Sequence, residues 1–313
     1  MRPLLLHGGL ILVLFALQFV LPDYHHANVA RIMIYAVLAV GYNLLLGYTG
    51  LMSLGHAMFF AAGAYGAGLS VYWLGYGPLP AFAAGVFSGL IMSLIAGVFL
   101  LRSTGVAFLI VTLMLAQACF LTTLYFNNFT MGEQGIVLAT TGDADILGFS
   151  LQLADPAVKY NVALVALAVS LSGCLWLVQS PMGRVLVAIR ENEQRTRMLG
   201  YNTFAYRYFA IVISGTIAGL SGALYALLFS YVGSSFASLQ YSTFPLLWTL
   251  LGGAGTIIGP LVGTGLMFYL VDIASGYTTS YLLVVGVTLL ALTLWFPRGI
   301  MGAVRARFPA WLP

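Results

Sequence analysis

The chain has 313 residues, of which 61% are hydrophobic and only 6% are charged. A soluble domain carries about 25% charged residues, so this composition excludes a soluble protein. The formal net charge of +4 comes from basic residues in short loops beside apolar stretches, which indicates membrane orientation and no nucleic-acid partner. We therefore expect one polytopic helical membrane domain over residues 1–313, because the longest non-apolar segment, residues 127–159, is too short to bury a core of its own.

The apolar spans fall into two halves. The first half, residues 1–126, contains spans at residues 4–21, 29–46, 51–74, 79–101 and 104–126. After the loop 127–159, the second half, residues 160–300, contains spans at residues 160–178, 207–231 and 280–296. Before the last span, residues 242–272 are broken in two by glycines and Pro260. The first part, to about Gly252, would be only ~16 Å long as a helix, which is too short to cross a bilayer.

The distribution of charge predicts the orientation of the spans. Basic residues collect in the segment 180–206 and in the C-terminal tail, so both are expected in the cytoplasm. The loop 127–159 is expected outside, because it carries the acidic residues Glu133, Asp143, Asp145 and Asp155. The segment 180–206 and the tail lie on the same side of the membrane only if the two parts of residues 242–272 are separate membrane segments, one descending and one returning. The predicted fold class is therefore an all-α polytopic membrane protein with about ten membrane segments, two inverted halves, interrupted or re-entrant helices and both termini inside.

Residues 47–66, GYTGLMSLGHAMFFAAGAYG, place glycines and a histidine inside an apolar span. Interrupted segments in both halves are typical of a translocation pathway, because freed backbone groups are tolerated at membrane depth only against protein or water. Alternatively, the glycines only allow close helix packing. Two polar side chains in spans, His56 and Gln117, either line the pathway or are satisfied within the packing. The pathway candidates are Gly47, Gly50, Ser53, Gly55, His56, Gln117, Gly252, Gly253 and Gly255.

One histidine in a span lacks the partners of a metal site, so neither a metal nor a cofactor is expected. The most densely charged part of the chain is SPMGRVLVAIRENEQRTRMLGYN, within residues 180–206. Its residues favour a short helix that stops at Gly200. Such a helix either docks a cytoplasmic partner or only anchors the orientation of the chain.

Five stretches together resemble the LivM-type permeases of branched-chain amino acid ABC importers. They are GYTGLMSLGHAMFFAAGAY, SPMGRVLVAIRENEQRTRMLGYN, SGTIAGLSGALYA, LLGGAGTIIGPLVG and FPRGIMG, in family order from about residue 30 to residue 302. The resemblance implies a subunit of the bacterial inner membrane, surrounded by lipid. The partners that it implies are a second, LivH-like permease, two cytoplasmic ABC ATPases and a periplasmic solute-binding protein.

The resemblance extends to individual residues. Six of them match the family's cytoplasmic coupling segment, which it implies docks in a groove of the ATPase: Arg184, Ala188, Arg190, Glu191, Glu193 and Gly200. The family's membrane-interrupting motif is matched by Gly47, Gly50, Ser53, Gly55 and His56. The chain departs from the family pattern at residues 195–197, where relatives usually have small residues and an acid.

The chain contains no G-x-x-x-x-G-K-S/T phosphate loop, so we expect it not to be an enzyme and ATP to be hydrolysed on separate subunits. The spans also lack the paired acids of many proton-coupled carriers. The expected function is half of a translocation pathway for branched-chain amino acids, or for related small amino acids and amides. The alternative is a self-sufficient facilitator or channel for a small solute such as urea or an amide, which the Gly-rich, mostly uncharged interior favours.

Overall fold

The computed structural model describes residues 2–138, 144–146, 149–296 and 298–307 of the chain. Asp143, an acidic residue of the predicted external loop, lies outside the described residues. Helix dominates the described part, which confirms the prediction of an all-α membrane protein.

The helices are α1 (Arg2–Leu17), α2 (Asp23–Asn43), α3 (His56–Leu74), α4 (Pro78–Leu100), α5 (Val106–Tyr125), α6 (Asn127–Thr130), α7 (Pro156–Gln179), α8 (Pro181–Met198), α9 (Thr203–Phe229), α10 (Leu239–Gly252), α11 (Gly259–Tyr277), α12 (Tyr281–Trp295) and α13 (Ile300–Arg307). A π-helical segment, Leu44–Tyr48, continues α2, and a 3₁₀ turn, Ser234–Ala237, precedes α10. The strands form two short antiparallel ladders, one of β1 (Ile136–Val137) with β4 (Tyr231–Val232) and one of β2 (Ala144–Ile146) with β3 (Phe149–Leu151).

Six helices of the described part are long and apolar enough to cross a membrane. They cover His25–Tyr48, His56–Leu74, Pro78–Leu100, Val106–Tyr125, Pro156–Gln179 and Thr203–Phe229. Two shorter apolar helices, Leu5–Leu17 and Leu283–Leu292, lie within α1 and α12. The chain is a multi-pass membrane protein, and the count of about ten segments in inverted halves stays a prediction.

The helix α2 lies at the centre of the molecule, since 94% of its apolar window is buried, against 17% for α5. Beside it, α3, α4 and α9 pack on one another through glycines. A Cβ atom added at Gly89 would lie 2.7 Å from the Cα atom of Gly219, and one at Gly63 would overlap the carbonyl of Gly219. Because lipid is as apolar as leucine, close backbone approach of this kind is what stabilises helix contacts in membranes.

The break predicted in residues 242–272 lies between α10 and α11. The helix α10 has 14 residues and is about 21 Å long, so it is short for a crossing of ~30 Å. It begins at Leu239, three residues before the predicted start. The two helices pack tightly side by side, because a Cβ atom at Gly252 would overlap the carbonyl of Gly259, and one at Gly263 the carbonyl of Trp248.

Several helix starts differ from the predicted spans, and α2 begins at Asp23, before the predicted start at residue 29. The helix α3 begins at His56, so residues 51–55 are not part of it. The helix α7 begins at Pro156, within the predicted external loop, because Asp155 caps it with a hydrogen bond from the Ala157 N–H at 2.9 Å. The helix α9 begins earlier than predicted, at Thr203, where the side chain of Asn202 is the cap.

Candidate functional site

The two glycine-interrupted stretches meet in space. The amide of Asn43 bridges them, since its Nδ2 donates to the Thr256 carbonyl at 2.9 Å and its Oδ1 accepts from the Gly255 N–H at 2.9 Å. A Cβ atom at Gly47 would lie 2.9 Å from the Cα atom of Gly255. Backbone groups freed by the second break are therefore satisfied by a side chain at the start of the first, as membrane depth requires.

The first break starts with the π-helical turn after α2, in which Gly47 is buried. The hydroxyl of Thr49 donates to the Leu44 carbonyl at 3.1 Å. The chain then turns at Gly50, whose φ of +75° lies in the left-handed region that favours glycine. Single π-turns of this kind occur often at functional sites.

The segment 180–206 reaches this junction through Arg190. Its Nη1 donates to the Gly47 carbonyl, and its Cγ atom would lie 3.0 Å from a Cβ atom at Gly50. On the other break, Nη1 of Arg305 in α13 donates to the Gly255 carbonyl at 2.8 Å. Two arginines from distant parts of the chain thus hold the carbonyls of the two breaks. We refer to Asn43, Gly47, Arg190, Gly255 and Arg305 as the break junction.

His56 lies away from the break junction and is fully buried. Its Nε2 lies 2.8 Å from the hydroxyl oxygen of Ser214, and its Nδ1 lies 3.3 Å from that of Ser53. The ring also makes an edge contact with Tyr42 at a centroid distance of 4.6 Å. In this conformation both ring nitrogens have partners within the packing, so a place for His56 on the pathway stays a prediction.

Ser53 and Gly55 form the turn into α3. The Ser53 carbonyl accepts from the Tyr42 hydroxyl at 2.9 Å, and its Oγ accepts from the Gly55 N–H at 3.1 Å. A Cβ atom at Gly55 would lie 2.7 Å from the Thr112 carbonyl, and the Leu54 N–H donates to the Thr112 hydroxyl at 3.0 Å. These contacts tie the first break to α5.

The remaining pathway candidates occupy different places. Gly252 lies in the α10–α11 contact, and Gly253, with φ +116°, approaches α13, since its Cβ atom would lie 2.7 Å from the Gly302 nitrogen. Gln117 is exposed on α5. The structure therefore gathers the glycines of the two breaks and leaves Gln117 on an outer face.

The six predicted coupling residues occupy different environments. Arg184, Arg190 and Glu191 are exposed on α8. Arg190 and Glu193 bind within the chain, because Glu193 accepts from Nη1 of Arg207 at 3.0 and 3.1 Å. The other two are Ala188, which is half-buried on α8, and Gly200. The helix stops before Gly200 as predicted, and the φ of this glycine is +89°.

The helix α8 is not continuous. Asn192 has non-helical angles, φ −160° and ψ 102°, and its Oδ1 accepts from the Arg195 N–H at 2.9 Å, which caps the second part. The kink separates the part that carries Arg190 from the part that carries Glu193. Asparagine is a good capping residue, but it was one polar residue among many in this segment, so the pattern did not predict the kink.

Sequence reasoning missed three residues of interest. Asn43 and Arg305 belong to the break junction. Asn43 could have been found from the sequence, because it is a side-chain amide directly before a glycine-interrupted stretch. Arg31 lies within a candidate span, where a charge is a functional hypothesis by default. Its guanidinium lies over the ring of Phe229, 4.7 Å from the centroid.

The chain matches the protein family "Branched-chain amino acid transport system / permease component" over residues 27–294. This chain belongs to that permease family. The match includes both glycine breaks and the segment 180–206, and it confirms the resemblance inferred from the motifs. Among the residues of the break junction, only Arg305, in α13 of the permease, lies outside the matched residues 27–294.

Curated relatives agree with the family match. The permease is 27% identical to the high-affinity branched-chain amino acid transport system permease protein LivM of Escherichia coli strain K12, over 87% of this chain and 69% of the relative. It is 24% identical to LivH of the same strain, over 86% of this chain and 91% of the relative. It is 31% identical to the autoinducer 2 import system permease protein LsrC of Photorhabdus laumondii, over 41% of this chain and 36% of the relative.

Proposed function

We propose that the permease is one transmembrane subunit of an ABC importer and forms half of the translocation pathway. The solutes are branched-chain amino acids, or related small amino acids and amides, as the names of the LivM and LivH relatives suggest. A second, LivH-like permease completes the pathway in the bacterial inner membrane. Two cytoplasmic ABC ATPases hydrolyse ATP, and a periplasmic binding protein delivers the solute.

The contact between the coupling segment and the two breaks carries this proposal. Arg190 belongs to the segment that the family resemblance assigns to the ATPase, and it holds the Gly47 carbonyl beside Gly255. A movement of α8 on the ATPase therefore pulls directly on an interrupted helix of the membrane domain. Charge-assisted hydrogen bonds of this kind are stronger than neutral ones, so they transmit such a movement well.

The same contacts support the proposed topology. Arg190 and Arg305 both lie at Gly255, so the coupling segment and the tail belong on one side of the membrane. An even number of crossings must then separate them. With α9 and α12 as single crossings, α10 and α11 together descend and return, and both termini are cytoplasmic.

The second permease is proposed to cover α5. Only 17% of the apolar window of this helix is buried, and Gln117 is exposed at its middle. A side-chain amide facing lipid leaves its hydrogen bonds unmade, which is unfavourable. A partner that shares the pathway along this face satisfies Gln117, in agreement with its prediction as a pathway residue.

Reconstitution into liposomes tests the proposed function. The permease should take up labelled leucine only together with the second permease, the ATPases, the binding protein and ATP. The matched control omits ATP from the same liposomes. Solute flux through the permease alone would support a facilitator and overturn the proposal.

The coupling role of Arg190 is tested in the same liposomes. With Arg190→Gln, uptake should fall strongly while ATP hydrolysis continues, because a hydrogen bond to a charged group that contributes about 1.5 to 3 kcal/mol is lost between α8 and Gly47. Arg195→Gln is the matched control, since Arg195 is an exposed arginine of α8 outside the six predicted coupling residues. Equal loss of uptake and hydrolysis in Arg190→Gln would show that the residue acts in ATPase docking and not in transmission.

A further inference from the structure

Three arginines surround a cavity beside the break junction. The cavity has a volume of about 560 Å³ and is open on one side. Its walls come from α8, from the α10–α11 connection and from α13. The lining residues are Arg190, Leu250, Ala254, Thr256, Arg298, Gly302, Arg305 and Ala306. Its size is within the range of small-ligand sites.

The positive charge of this cavity is not balanced within the described part of the chain. The ion pairs there join Glu193 to Arg197 and Arg207, and no described carboxylate pairs with an arginine of the cavity. Arg190 and Arg305 each use one N–H donor on a backbone carbonyl. A guanidinium has five such donors, so most remain available to an anion. Three cations around one opening attract a negatively charged group.

The cavity lies where an apolar helix reaches its end. The last turn of α12 exposes Leu294 and Trp295, with relative accessibilities of 80% and 76%, and Arg298 follows three residues later. Exposed tryptophan is typical of the level of the lipid headgroups. A hydrocarbon chain that lies along α12 therefore brings its headgroup to the cavity.

We propose that this cavity binds the phosphate of an anionic phospholipid of the cytoplasmic leaflet. Arginine forms bidentate hydrogen bonds with phosphate, and basic pockets on the cytoplasmic side of membrane helices are suited to acidic headgroups. Because two of its cations also hold the Gly47 and Gly255 carbonyls, the bound lipid neutralises charge at the break junction. The proposal does not depend on which solute the permease carries.

Native mass spectrometry of the full chain tests the site. The permease is released from micelles that contain equal amounts of phosphatidylglycerol and phosphatidylcholine, and the phospholipid retained on it is counted. Phosphatidylglycerol should be retained in preference. Its retention should fall about fivefold for each arginine removed in Arg298→Gln and Arg298→Gln/Arg305→Gln. Arg307→Gln is the matched control, because it removes the same charge from α13 outside the cavity, and it should retain the lipid.

The outcomes separate three occupants. Equal retention of phosphatidylglycerol in Arg298→Gln and Arg307→Gln overturns the proposal. Displacement of the lipid by millimolar inorganic phosphate assigns the cavity to small anions and also overturns it. If purified Arg298→Gln complexes lose the ATPase subunits while lipid retention is unchanged, the cavity binds an acidic residue of the partner. This result also overturns the proposal. Arg298→Lys keeps the charge and should retain more lipid than Arg298→Gln, which separates loss of binding from misfolding.

Discussion

At the scale of single residues, Gly47 is where the two breaks come closest. Its position has no room for a Cβ atom, because the Gly255 backbone and the Asn43 side chain occupy the space. The same glycine supplies the carbonyl that Arg190 binds. Close packing at this glycine brings the two breaks together, and its place on the pathway stays a prediction.

Gly47→Ala should impair transport, because the added methyl group forces the two breaks apart. Overpacking of this kind typically costs about 1 to 3 kcal/mol. The measurement is the initial rate of solute uptake in liposomes, together with the thermal unfolding midpoint. Gly173→Ala is the control, since a Cβ atom there has no neighbour within 4 Å. Full uptake by Gly47→Ala would contradict a need for close contact between the breaks.

Glu193 and Arg207 form the strongest ion pair in the described part of the chain. The Arg207 side chain is only 6% exposed, and that of Glu193 is 32% exposed. Glu193→Ala leaves the Arg207 charge buried without its partner, so the permease should be less stable by about 3 kcal/mol. Thermal unfolding in detergent measures the change. Arg197→Ala should have little effect, because that pair is exposed and its atoms are 3.7 Å apart.

At the scale of elements, α8 is two short helices joined at Asn192. The first part buries Leu186 and Ile189 against the membrane domain, and it directs Arg190 to the break junction. The second part is held to α9 by the ion pair of Glu193. The kink therefore separates the contact of α8 with the break junction from its contact with α9.

Ala188→Pro should abolish both solute-stimulated ATP hydrolysis and uptake. Proline inside a helix costs ~3 kcal/mol, and at this position it disrupts the part of α8 that carries Arg190. ATPase assays of the reconstituted complex give the readout, and co-purification with the second permease shows whether the chain still inserts. Ala188→Ser is the control, because serine keeps the helix. If the proline variant hydrolyses ATP and transports normally, the segment is only an orientation anchor.

At the scale of the whole molecule, the proposed topology places α8 and the β1 region on opposite sides of the membrane. Single cysteines are introduced at Glu133 and Arg195, both exposed, after replacement of Cys119 and Cys174. An impermeant thiol reagent should label position 133 from outside and position 195 only from inside. Labelling of both from the same side would contradict the ten-segment layout and the inverted halves.

Much of the fold could be predicted because it depends on local properties. The length of apolar stretches sets the membrane helices, and glycines with Pro260 mark the second break. Asp155 before Pro156 and Ser180 before Pro181 are capping patterns at the starts of α7 and α8, although the predicted span began later, at residue 160. The order of the motifs by itself indicated the family.

The candidate site could be predicted only in part. Its glycines were recognised from their place in apolar spans, but the partners that satisfy them were not. Asn43 binds residues more than 200 positions away in the chain, and Arg190 reaches Gly47 across 143 positions. Charge alone predicted that Arg190 and Glu193 face a partner, and it did not predict that each also binds within the chain.

The amino-acid sequence by itself determined that this protein lies in a membrane, which segments are helical and where two of them break. These features follow from the transfer of apolar side chains out of water and from the short reach of backbone hydrogen bonds. Only the tertiary structure decided that the two breaks meet and that Arg190 and Arg305 hold their carbonyls. Backbone groups freed inside a membrane must find a partner, and which side chain can reach them depends on how distant helices pack.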